Sequence, residues 1–113
     1  MARAATTTDA FNAVAEPRRR QILDLLARGE RPVNDLVSLL RLGQPQVSKH
    51  LRVLREVGLV EVREDGRQRW YRLNAEPLRP IHEWVKRYEQ SWNERFDALD
   101  EVLENLKRKE NRR

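Results

Sequence analysis

The chain has 113 residues, 39% hydrophobic and 36% charged, with 23 lysines and arginines against 18 aspartates and glutamates for a net charge of +5. That length suits a single domain with little room for an enclosed core, so a partner subunit is expected. No apolar run approaches the length of a bilayer span, and the absence of cysteine excludes disulfides and thiolate chemistry and is compatible with a cytoplasmic location. Residues 1–8 are small and polar, lack the apolar stretch of a signal peptide, and read as a loose N-terminal arm. Helices are expected at about Asp9 to Ala15 and Pro17 to Ala27. In the second, Ile22, Leu23, Leu25 and Leu26 face inward, while Arg18, Arg19 and Arg20 put three cations at a helix start, where the macrodipole opposes them. Solvation, pairing with Glu16 or a bound phosphate could each relieve that conflict.

Apolar residues at helical spacing predict a further helix over Pro32 to Leu40, and the short connection Arg41-Leu42-Gly43 leads into another over Pro45 to Val57. Together they outline a helix-turn-helix. At 100° per residue, Val47, Leu51, Leu54 and Val57 fall on one side of the second helix with His50 beside them, and Gln46, Ser48, Lys49 and Arg52 fan across the other. Pro45 suits a helix start and Gly58 a left-handed stop. Strands at Leu59 to Arg63 and Gln68 to Leu73 flank Glu64-Asp65-Gly66, which reads as a hairpin and therefore a wing. Asn74 or Glu76 can cap a long helix from Pro77 to Leu106. There Leu78, Ile81, Val85, Tyr88, Trp92, Phe96, Leu99, Leu103 and Leu106 repeat at coiled-coil spacing with a local 4-4 skip at Trp92, a seam too long for a small domain to cover alone. Residues 107–113 read as a charged, fraying tail.

The expected fold is thus mainly α with a small β-hairpin: one domain, with a winged helix-turn-helix core over residues 9–76 and a long C-terminal dimerisation helix over 77–106, residues 1–8 and 107–113 being flexible. The seam residues Ile81, Val85, Tyr88, Trp92, Phe96 and Leu99 are expected between two copies of the chain. Charge is concentrated in the core: Pro17 to Arg72 holds thirteen basic against seven acidic residues, a balance of +6, whereas Pro77 to Arg113 holds nine against eight. Basic surface attracts duplex DNA through counterion release. Amide, hydroxyl and cation match base edges and phosphates, so Gln44, Gln46, Ser48, Lys49, His50 and Arg52, with Arg63, Arg67 and Arg69 in the wing, are the expected DNA contacts. A winged helix that docks a protein is the alternative, but it would show exposed apolar or aromatic groups on these elements.

At this point the sequence resembles the ArsR family of winged helix-turn-helix repressors. That family's pattern of Gln-Pro, Ser-x-His-Leu, Leu-x-x-x-Gly-Leu-Val and Tyr-x-Leu is matched by Gln44-Pro45, Ser48-Lys49-His50-Leu51, Leu54 to Val60 and Tyr71-Arg72-Leu73. The resemblance covers roughly Ala10 to Trp92. It implies a homodimeric repressor, joined through its terminal helices, that binds a pseudo-palindromic operator, and it assigns His50 to the family motif. Several members sense metals through a Cys-x-Cys-type motif, and this chain has no cysteine. Others use Asp, His and Glu on the terminal helix, where this chain offers only His82 with Glu83 and Glu89. No metal site or cofactor is therefore expected, and no small-molecule or metal effector is evident, which leaves control by protein level, autorepression or an unidentified ligand. An enzyme is not expected either: there is no phosphate-cradling glycine loop, and Ser48 and His50, two residues apart on a helix, point about 160° apart.

Overall fold

Helix periodicity and local caps account for most of the element order in the computed structural model, which describes residues 9–111. The elements are α1 Ala10–Ala15, α2 Pro17–Leu26, β1 Arg31–Pro32, α3 Val33–Leu40, α4 Gln44–Glu56, β2 Val60–Asp65, β3 Gln68–Leu73, a 3-10 turn Glu76–Leu78 and α5 Arg79–Asn111. The arm expected at residues 1–8 and the last two residues of the charged tail lie outside the described residues. The chain divides into two units, residues 1–79 and 80–113.

In the first unit each helix buries one stripe. Ala10 and Ala13 of α1, Ile22, Leu23 and Leu26 of α2, Leu36 of α3, and Val47, Leu51 and Leu54 of α4 meet Leu59, Val60 and Tyr71 from the hairpin. Ile22, Leu36, Val47, Leu51, Leu54 and Leu59 are almost wholly buried, each contributing about 1.5–3 kcal/mol relative to exposure. Leu25, expected inside, is only half-buried.

The arginine run at the start of α2 is relieved by a means not foreseen from the sequence. The Arg19 Nε donates to the Ala13 carbonyl at 2.6 Å and its Nη2 to Asn12 at 3.2 Å, while Arg20 Nη1 donates to Val14 at 2.7 Å and Ala15 at 3.2 Å. Two cations at the start of one helix thus cap the open carbonyls at the end of the one before it, where the dipole favours them. Glu16 caps α2 itself, accepting from the Arg18 N–H at 2.9 Å.

Three boundaries differ from expectation. The sheet has three strands in the order β1-β3-β2, because Arg31 and Pro32 pair with Tyr71 and Trp70; two residues are too few to show a period. Strand β2 runs on through Asp65, which pairs with Gln68, so the turn is Gly66-Arg67 with Gly66 at φ 65°. Cross-strand pairing of Glu64 with Arg69, Nε to Oε1 3.4 Å, supports those two extra residues. The long helix starts at Arg79 after the 3-10 turn and continues to Asn111, past the expected end at Leu106.

The end of α4 joins the helix-turn-helix to the wing. Gly58, at φ 80°, donates to the Arg55 carbonyl at 3.0 Å, and Leu59 donates to Leu54 at 2.9 Å with both side chains buried. This is a Schellman motif with its apolar contact. Asn74 ties the wing's exit to the same place: its Nδ2 donates to the Gly58 carbonyl at 2.9 Å, and its Oδ1 accepts from the Glu76 N–H at 3.3 Å. A Cβ at Gly58 would sit 3.6 Å from Pro77 Cγ, an ordinary contact, so the cost of Gly58→Ala is conformational. We expect a loss of about 1–2 kcal/mol, read as a lower urea midpoint at unchanged slope.

Candidate nucleic-acid interface

The exposed side of α4 is defined by what its other side buries. With Val47, Leu51 and Leu54 inward, Gln44, Gln46, Ser48, Lys49, Arg52 and Arg55 are exposed along the helix. The turn before it is tight: Arg41 closes α3 in the left-handed region at φ 56°, and Gly43 opens α4. Gln46 has a structural task there, its Oε1 accepting from the Gly43 N–H at 3.3 Å. That bond orients the amide at the helix start, where Gln44 stands one residue after the cap.

His50 is half-buried on the edge between the two sides, and its Nδ1 is buried with no hydrogen-bond partner among the described residues. Burial lowers its pKa from the usual histidine value, and Arg19 lowers it further, with smaller contributions from Lys49 and Arg18 against an opposing one from Glu16. The imidazole is therefore neutral near pH 7 and backs the helix without adding charge to its polar face.

The wing arginines separate into different situations. Arg63 is held in a fork by Glu30, with Nε–Oε2 3.1 Å and Nη2–Oε1 3.2 Å; it also reaches Asp65 at 3.6 Å and lies 5.8 Å from the centre of the Trp70 ring. The hydrogen bond between them raises the pKa of Arg63 and lowers that of Glu30. Glu30 lies 33 residues away in sequence, and nothing in the local pattern announces it. Arg69 and Arg72 face Glu64 and Glu61 in exposed cross-strand pairs at 3.4 and 3.3 Å. Arg67, in the turn, has no ion pair among the described residues, and neither do Lys49, Arg52 or Arg55 of α4. The polar face of α4 and the wing tip thus both carry unpaired cations.

Of the residues expected between subunits, all on α5, Ile81 and Val85 are half-buried, and Tyr88, Trp92, Phe96 and Leu99 are exposed at 45–64%. Trp84 packs edge-on against Tyr88, ring centres 5.8 Å apart. The apolar stripe continues through Val102, Leu103 and Leu106. No described helix is long and apolar enough to cross a membrane. Among the described residues no three histidine, aspartate or glutamate side chains gather as metal ligands.

Comparison with known proteins matches residues 16–62 to the family described as bacterial regulatory protein, arsR family. Transcriptional repressor SdpR of Bacillus subtilis is 31% identical over 75 residues, covering 66% of this chain and 83% of that protein. For several other curated relatives the matched stretch is 29% to 59% of their length. Among solved structures, a homodimeric winged helix-turn-helix DNA-binding domain from Mycobacterium bovis is 36% identical with a TM-score of 0.56, covering 69% of this chain and 72% of that one. An ArsR-like transcriptional regulator from Rhodococcus has a TM-score of 0.64 at 26% identity, covering 90% of this chain and 96% of its own.

The lowered pKa of His50 has a definite sign for stability. Above the unfolded value near 6.5 the imidazole is neutral in both states; as the pH falls below it, the unfolded chain takes up a proton that the folded chain resists, and stability is lost until the folded value is passed. Denaturant titrations between pH 7.5 and pH 5 should show that loss in the wild type and a flatter profile in His50→Gln; parallel profiles would assign the loss to other groups.

Proposed function

The chain belongs to the ArsR family of bacterial regulatory proteins, and from that premise we propose that it is a homodimeric, sequence-specific DNA-binding repressor acting in the cytoplasm on a pseudo-palindromic operator. The observation that carries this reading is the polar face of α4, where amide, hydroxyl and unpaired cations stand exposed on a helix whose other face is locked into the core. Gln44, Gln46 and Ser48 lie at its start, within reach of base edges in a major groove, while Lys49 and Arg52 suit phosphates or guanine. Arg67 and Arg69 supply the wing's backbone contacts. Arg63, already neutralised by Glu30, holds the wing in shape. His50 supports the reading helix from behind. A protein-docking winged helix would need an apolar or aromatic patch on α4 or the wing tip, and the exposed residues there are polar or charged.

Two reading helices must be held about 34 Å apart to meet successive major grooves, and α5 offers the means. It is 33 residues long, about 50 Å at 1.5 Å per residue, and none of its side chains is buried within one chain. A stripe of that size on a single copy is an interaction surface. We assign its partner to a second copy. Metal control through thiolates is ruled out by composition, which leaves control by protein level or an effector of another kind.

Two measurements test this. On a duplex selected by the wild-type chain from a random pool, Arg67→Ala should reduce the slope of log affinity against log salt by about one, whereas Arg63→Ala should leave the slope unchanged and lower stability; equal slopes for Arg67→Ala and wild type would remove the wing tip from the DNA contacts. Trp92→Glu should sediment as a monomer and lose specific binding while retaining weak, salt-sensitive affinity for any duplex. A dimeric Trp92→Glu protein, or a monomer with wild-type operator affinity, would show that α5 serves some other purpose.

A further inference from the structure

Between the start of α3 and strand β3 lies an open cleft of about 220 Å³, lined by Asn34, Arg67, Gln68, Arg69 and Tyr71 over a floor of Pro32 and Val33. The pairing of Pro32 with Trp70 holds its two sides together. Its polar lining is two guanidiniums, two carboxamides and a phenol, with no carboxylate among them. Glu64 reaches Arg69 from outside at 3.4 Å, but both side chains are more than half exposed, and such a pair exchanges readily for a stronger anion.

Tyr71 makes the cleft more than a basic surface. It is only 8% exposed, and no hydrogen bond to it exists among the described residues. Its ring is buried while its hydroxyl is open to solvent at the cleft, whose other polar groups all offer donors. The ligand that suits this donor-rich, carboxylate-free lining is a small, acceptor-rich anion, and a tetrahedral phosphate matches its charge.

We propose that this cleft seats one phosphate of the DNA backbone, taking hydrogen bonds from the Tyr71 hydroxyl and the Asn34 and Gln68 amides and charge from Arg67 and Arg69. The proposal rests on the DNA-binding reading above and adds a grip at the junction of α3 with the wing. The first helix of a helix-turn-helix crosses the backbone, so a phosphate at its start lies on the path of a duplex that α4 reads. Such a contact carries no sequence information; it sets the register in which α4 meets the bases.

Tyr71→Phe tests this directly, because it removes one hydroxyl and keeps the ring packed. The full-length variant should bind both the selected duplex and a random-sequence duplex about five- to tenfold more weakly than wild type, with an unchanged salt slope since the phenol is neutral. Arg69→Ala should lower the slope by about one. Ethylation of one particular phosphate in each half-site should block the wild type and matter much less to Tyr71→Phe. Should Tyr71→Phe fold poorly, Asn34→Ala on the exposed lip should reproduce the uniform loss and the altered ethylation pattern. Wild-type affinity and an unchanged ethylation pattern in these variants, beside a wild type that binds DNA, would overturn the cleft and leave the DNA reading intact. A wild type that binds neither duplex would overturn both.

Discussion

Burial of Val47, Leu51 and Leu54 along one side of α4 is the constraint on which the rest of the arrangement depends. With three side chains locked inward the helix cannot roll, and its opposite side is committed to solvent or to a ligand. The Schellman motif at Gly58 then fixes where the helix ends, Leu59 following it into the core. Because the hairpin begins one residue later and Asn74 bonds back to Gly58, the orientation of α4 and the position of the hairpin are set by one structural knot.

Around that knot, charge is divided between holding the fold and remaining available. Arg19 and Arg20 spend their donors on the last carbonyls of α1, and Arg63 on Glu30. Lys49, Arg52, Arg55 and Arg67 have no such partner. An exposed ion pair contributes little to stability, but a forked arginine that also lies over Trp70 holds a strand against its neighbour. The local excess of basic residues is therefore not a uniform field. On the polar face of α4 and at the wing tip the cations are left available to an extended polyanion.

The second unit poses the opposite problem. Helix α5 presents aromatic and aliphatic groups at 45–64% of their full exposure, an apolar surface that calls for a partner. Its stability must come from packing, and the acidic and basic residues that alternate with the stripe keep the outer faces solvated. The proposed interaction surface and the proposed reading surface lie on different elements, so association and DNA recognition can be combined without competing for the same side chains.

Much of this was legible in the residues themselves. The period of 3.6 in Val47, Leu51 and Leu54, the glycine at position 58 that alone tolerates φ 80°, and the alternation through Trp70 and Tyr71 are local signals, and local chemistry enforces them. The apolar spacing on α5 was equally plain, because periodicity survives whatever the helix packs against. What the tertiary structure decided were the pairings across sequence distance. Glu30 with Arg63 and Pro32 with Trp70 depend on where the chain returns in space, and no window of neighbouring residues contains both partners; the arginines of α2 and the carbonyls of α1 are close in sequence, but the bend between the two helices that brings them together is not written in their spacing. The same holds for Tyr71, which reads in sequence as a strand aromatic; only the folded chain leaves its hydroxyl without a partner beside two arginines.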